Sequence, residues 1–88
     1  MAWSLVIAES AYDDLAACDD ATRARILKKL TWFEKNFDNV TPVPLTGEFS
    51  DYFKLRVGKW RVFYTIQWKK RHITVHHVAR RDEAYKKK

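Results

Sequence analysis

The sequence predicts one α+β domain, two N-terminal helices packed on a mainly antiparallel β-sheet in the order β-α-α-β-β-β, and three observations carry that prediction. Apolar residues recur at helical spacing as far as residue 37, then at every second residue from residue 52 onward. Gly58 and Lys59 separate two alternating runs at the spacing of a two-residue hairpin. With two glycines and two prolines in 88 residues there is little material for a linker, so residues 1–88 are read as a single domain.

The elements follow in order. Residues 3–8 are apolar and rich in β-formers, and read as a buried first strand. Ser10, followed three residues later by Asp13, reads as a helix start in the manner of a capping box, with Ala11, Tyr12, Leu15 and Cys18 recurring behind it. Asp19 and Asp20 offer a second N-cap. Behind them Ile26, Leu30, Phe33 and Phe37 fall on one stripe at spacings of 4, 3 and 4, with Arg23, Lys28, Lys29 and Lys35 largely off it. Such a stripe faces a core. Asn36, Phe37, Asp38 and Asn39 end the helix, and residues 40–51, with Pro42, Pro44 and Gly47, read as an extended connection. Phe53, Leu55 and Val57 then alternate with Tyr52, Lys54 and Arg56, while Trp60, Val62, Tyr64 and Ile66 alternate with Arg61, Phe63, Thr65 and Gln67. A third run, residues 73–79, follows the polar turn at Lys69, Lys70 and Arg71. Helices grouped before strands in this way lie on one face of the sheet.

Composition narrows the function classes. Cys18 is the single cysteine, which excludes a disulfide framework or thiolate cluster and leaves it as a small apolar residue rather than a nucleophile. The N-terminus has no basic leader with an apolar segment and cleavage site, and no apolar run approaches the ~20 residues that span a bilayer. A soluble cytoplasmic protein with no membrane partner is expected. His72, His76 and His77 show no metal-ligand spacing with carboxylates, so neither metal nor cofactor is expected. Asp13, Asp14, Asp19 and Asp20 sit around helix starts, where the helix dipole accounts for them.

The charge is concentrated. Residues 1–50 hold five Lys/Arg against eight Asp/Glu, whereas residues 51–88 hold twelve against three. A balance of +9 in the C-terminal two-fifths is the electrostatic footprint of a polyphosphate binder.

The hairpin organises that charge. Gly58 supplies the positive φ at the first position of a type II′ turn, which opposes Val57 to Trp60, Arg56 to Arg61, Leu55 to Val62 and Lys54 to Phe63. Opposed residues share a face. Phe53, Leu55, Val57, Trp60 and Val62 therefore line the core, and Lys54, Arg56 and Arg61 emerge on the other side with Tyr52 and Phe63. A one-residue slip would bury all three charges. Like charges opposed in a sheet are destabilising by about 0.2–1 kcal/mol. An anion between them removes the penalty, and a phosphate matches the planar fork of arginine donors. The aromatic rings among these cations suit base stacking.

These residues also carry a family resemblance. Pro44-Leu45-Thr46-Gly47, the hairpin from Tyr52 through Tyr64, and the closing Arg80-Arg81-Asp82-Glu83-Ala84-Tyr85 resemble the RelE/ParE superfamily of bacterial toxins, and most of the chain fits. The resemblance implies a RelE-like, microbial-RNase-type fold. In the RelE branch it implies the toxin of a type II toxin–antitoxin pair, a metal-independent endoribonuclease that enters the ribosomal A site and cuts messenger RNA. The partners so implied are a cognate antitoxin, mRNA and the ribosome. By motif position Lys54, Arg61, Arg81 and Tyr85 match the catalytic set, with Tyr52, Arg56, Phe63, His76 and Arg80 as RNA contacts. Where some members carry a lysine two residues before Lys54, this chain has Tyr52, which leaves base activation unassigned. Two rivals stay open: a ParE-like inhibitor of DNA gyrase, and a nucleic-acid-binding module without catalysis. The full basic-plus-tyrosine set favours RNA cleavage.

The chemistry so implied is attack of a ribose 2′-hydroxyl on the adjacent phosphate. Its transition state is rich in negative charge, so fixed cations are the largest lever. Arg56 and Arg61 would clamp the non-bridging oxygens, Lys54 would assist electrostatically, and Arg81 would stabilise the leaving 5′-oxygen. Tyr85 is the candidate base. An unperturbed phenol titrates near ~10, and surrounding arginines would favour its phenolate. His76 and His77, consecutive in a strand, are expected on opposite faces, with His76 on the cationic one and His72 exposed in the preceding turn.

Overall fold

The computed structural model describes residues 2–45, 47 and 51–80. Strand β1 (Ser4–Ile7) leads into helix α1 (Glu9–Ala16) and helix α2 (Asp20–Lys35), which closes on a 3₁₀ turn at Phe37–Asn39. Strands β2 (Val43–Pro44), β3 (Phe53–Val57), β4 (Trp60–Gln67) and β5 (His72–Arg80) follow. They form one sheet in the order β1-β5-β4-β3-β2, antiparallel throughout except for the parallel β1–β5 pair. The α+β class stands as expected, with one strand more than the sequence pattern shows. Val43 and Pro44, read as connection, pair with Lys54 and Phe53. Proline is tolerated there because β2 is an outer edge.

The register of the β3–β4 hairpin follows the turn. Gly58 has φ +60°, and Lys59 stays at negative φ, so the glycine occupies the first position of a type II′ turn. Val57 faces Trp60, Arg56 faces Arg61 and Lys54 faces Phe63.

Beneath the helices, Ile26, Phe33, Val62, Ile73 and Val75 are wholly buried, together with Leu30 and Phe37 of the predicted stripe. Phe33 meets Phe37 and Tyr64 edge-on at centroid distances of 5.1 and 5.0 Å. Trp3 packs on Phe37 at 4.5 Å while its indole donates to Asp38 at 2.8 Å. Burial pushes the Tyr64 phenol up to about 12, so it stays neutral and acts as core.

Several local expectations are corrected. Strand β1 is not buried on both faces: Leu5 and Ile7 turn inward while Val6 is 45% exposed, because β1 is an edge. Its outward Leu5 amide donates to Glu34 of α2 at 2.8 Å, which blunts that edge. Helix α1 starts at Glu9 with Ala8 as N-cap and no side-chain cap; Ser10 is committed elsewhere. Asp19 does cap α2, accepting the Thr22 amide at 2.8 Å, and this bond holds its carboxyl below the ordinary carboxylate range. Arg23 closes the α1–α2 corner, donating to the carbonyls of Leu15 and Cys18 at 3.0 and 2.7 Å. Cys18 is buried, as its reading as a small apolar residue requires. His72 opens β5 half-buried and is joined to Ser4 by a 3.3 Å hydrogen bond, rather than lying exposed in the turn.

The largest departure lies in β5. Val62 pairs with Val78 and Tyr64 with Val75, with a bulge between. Both valines are buried. The two residues between them, His76 and His77, therefore both project away from the core, instead of alternating. Beyond the end of β1 this stretch of β5 has no strand beside it, and α1 supplies the missing partners. The Ser10 hydroxyl donates to the His76 carbonyl at 2.6 Å, and the Asp14 carboxylate accepts the Val78 amide at 2.9 Å. Neither residue serves a helix start.

Candidate nucleic-acid interface

The outer face of the sheet, turned away from the helices, gathers most of the residues singled out by sequence. Arg56 and Arg61 form one row across β3 and β4, and Lys54 and Phe63 the next. Phe63 in turn opposes His77 on β5. Tyr52, just before β3, reaches across to His76 with ring centroids 5.3 Å apart. His76 shares a 2.9 Å hydrogen bond with Thr65 of β4. Burial, followed by the nearby His77, holds the His76 imidazole below its ordinary value, so it is neutral at neutral pH.

The cations differ in depth. Arg61 is only 5% exposed, whereas Arg56 and Lys59 are exposed and Lys54 is intermediate. A buried guanidinium thus stands beside an exposed one: Arg61 is held by its surroundings, whereas Arg56 is open to solvent. Gly58 approaches a further cation, since a Cβ there would stand 3.6 Å from the Arg25 guanidinium of α2.

Arg80 lies apart. It opposes Trp60, which shares its face with Val62, so Arg80 is on the helix side of the sheet end. The same bulge explains this, because it reverses the parity of every residue after it. Arg81 and Tyr85 lie outside the described residues. Sequence reasoning missed His77 as a member of the outer face, and it set Thr65 there by alternation without singling it out. The available signal was the pair of valines three apart, Val75 and Val78, too odd a spacing for an unbroken strand. Among the described residues no helix is long and apolar enough to cross a membrane, and no group of three or more His, Cys, Asp or Glu could hold a metal ion.

Comparison with known proteins supplies the family. The sequence model for the ParE toxin of type II toxin–antitoxin systems (parDE) matches residues 5–85. This chain belongs to that toxin family, within the RelE/ParE superfamily. Solved structures similar to this toxin share its fold at low identity. The RelBE2 toxin–antitoxin complex from Mycobacterium tuberculosis matches at 20% identity and a TM-score of 0.82, over 92% of this chain and 100% of that one. The archaeal RelE–RelB complex from Pyrococcus horikoshii matches at 23% identity and a TM-score of 0.71, over 92% and 97%. The isolated Escherichia coli RelE toxin matches at 21% identity and a TM-score of 0.69, over 97% of each chain. No curated protein sequence matches the toxin.

The opposed arginines permit a direct test of their cost. Arg56→Thr removes the repulsion and adds a β-former, so the toxin is expected to gain about 0.5 kcal/mol, or roughly 2–4 °C in melting temperature. If this face binds RNA, the same change should weaken that binding and reduce the slope of log affinity against log salt by about one. Thermal melts and RNA titrations at several salt concentrations check both.

Proposed function

We propose that this toxin is a metal-independent, ribosome-associated endoribonuclease that stops translation by cutting messenger RNA in the A site. The observation that supports this most strongly is the pairing of Arg56 with Arg61, next to the row of Lys54 and Phe63 and with Tyr52 beyond it, on one face. Two arginines opposed across a sheet repel each other, and a sugar-phosphate backbone bound between them offsets that cost. The cleavage is attack of the 2′-hydroxyl on the adjacent phosphate, with Arg61 and Arg56 on its non-bridging oxygens and Lys54 adding positive field. Arg81 and Tyr85, carried over from the RelE motif, hold the leaving oxygen and its ribose in place. The partner that restrains the toxin is a cognate antitoxin, a cytoplasmic protein whose acidic or amphipathic segment covers this basic face or displaces the C-terminal segment.

Primer extension on a translated message after induction tests the reading, with Arg81→Ala and Tyr85→Phe alongside the unaltered toxin. Discrete, codon-linked ends that disappear in the variants are expected. Wild-type levels of toxicity and cutting in both variants would remove these two residues from the mechanism. A second reading, inhibition of DNA gyrase, is favoured by the ParE identity of the matching family. It predicts DNA breaks with intact messages in the same cells.

A further inference from the structure

We propose that His76 and His77, set side by side by the β5 bulge, form the proton-transfer pair of this face, His76 accepting the proton of the attacking 2′-hydroxyl and His77 delivering one to the departing 5′-oxygen. The inference rests on the RNA-cleavage reading above and names the groups that carry its acid–base chemistry.

Three features of the fold support it. The bulge places two imidazoles where an unbroken strand would present one, and it does so in the row of Phe63, next to the row of Arg61. Lys54 and His77 are both diagonal to Arg61 on the neighbouring strands, about 7–8 Å away, with His76 the next residue in the bulge, so a phosphate bound between Arg61 and the Phe63 row lies beside the pair. The bulge is also built rather than incidental. Ser10 holds the His76 carbonyl and Asp14 the Val78 amide, so helix α1 pins the backbone on either side of His77.

The side chains are oriented differently. His76 is tied through Nε2 to the Thr65 hydroxyl at 2.9 Å, with the Tyr52 ring against it. In the tautomer in which Nε2–H donates to Thr65, Nδ1 presents an unprotonated lone pair, the form a base requires. His77 turns Nδ1 towards the Asp14 carboxylate at 3.6 Å, which leaves its far nitrogen, Nε2, for the acid role. Among the described residues, the charged and titratable groups around the pair are Tyr52 and Lys54 on the β3 side, Arg61 on β4, and Asp14 on α1. A lowered imidazole such as His76 is unprotonated at neutral pH, whereas lysine and arginine are protonated there and cannot accept a proton.

The step balances. The 2′-oxygen forms a bond to phosphorus as its proton passes to Nδ1 of His76. The bond from phosphorus to the 5′-oxygen breaks, its electron pair leaves with oxygen, and Nε2 of His77 supplies the proton. The products are a 2′,3′-cyclic phosphate and a 5′-hydroxyl, and exchange with water restores both rings. Thr65 and Asp14 are positioning residues.

Single-turnover cleavage of a message on programmed ribosomes, measured between about pH 5 and pH 9, tests the pair. The wild-type rate should rise and then fall across this range. His76→Gln should lower the maximum by about 10²-fold or more and abolish the rising limb, and His77→Gln should lower the maximum by about 10²-fold. Thr65→Val should lower the rate and Thr65→Ser restore it, a rescue that loss of fold would not give. Arg61→Ala should depress the whole profile while keeping both of its limbs. If the wild type cuts messages and Arg61→Ala does not, yet both glutamine variants keep the wild-type profile, the pair is overturned and the nuclease reading stands. A wild-type rate flat with pH also overturns the pair, whatever the variants do. A wild type that cuts no message overturns both.

Discussion

On the proposed nuclease function, Arg61→Ala is expected to slow message cleavage by about 10²–10³-fold, the usual cost of losing one fixed donor to a developing oxyanion. The expectation rests on depth. Arg61 is 5% exposed at the centre of the outer face, so its guanidinium is already oriented and largely stripped of water before RNA arrives. Its opposite number, Arg56, is exposed and must be ordered on binding, so Arg56→Ala should cost less in rate and show mainly in affinity. Arg61→Lys should recover only part of the loss, because an ammonium keeps the charge but not the two-pronged fork. Rates on programmed ribosomes, with melting curves to confirm folding, decide the matter. A folded Arg61→Ala toxin that cuts at wild-type speed would remove the arginine row from the mechanism.

Phe33→Ala is expected to cost about 3–5 kcal/mol, a large share of the roughly 5–15 kcal/mol that holds a small domain together. Phe33 is wholly buried, and its ring is the junction between Phe37 at the end of the helical layer and Tyr64 in the middle strand. Removing it empties the place where the layers meet, and neighbours wedged edge-on cannot collapse into the space. A fall of more than about 12 °C in melting temperature should follow. Val6→Ala on the exposed face of β1 should change stability by less than about 0.5 kcal/mol. Similar losses in both variants would show that the core has been misplaced.

Much of the fold was legible because its signals are local. Ile26, Leu30, Phe33 and Phe37 share a stripe through helix geometry alone, and all four are buried. Gly58 sets the hairpin register through its own φ, and that register carries Lys54, Arg56 and Arg61 to one face. Turn chemistry and a two-residue period need no knowledge of the rest of the chain.

What stayed hidden depends on partners distant in sequence. Val43 and Pro44 become a strand only because β3 offers an open edge. Ser10 and Asp14 carry capping-type side chains, but the groups they satisfy are the His76 carbonyl and Val78 amide, more than sixty residues away.

The sequence by itself determined the class of fold, the core stripe and the gathering of cations on the hairpin, since each follows from periodicity and one glycine. Tertiary structure alone decided the bulge in β5, and with it the pairing of His76 with His77 and the turning of Arg80 to the helix side. The reason is packing: burying both Val75 and Val78 against one core requires an extra residue between them, and α1 must be in place to satisfy the backbone groups that the bulge unpairs.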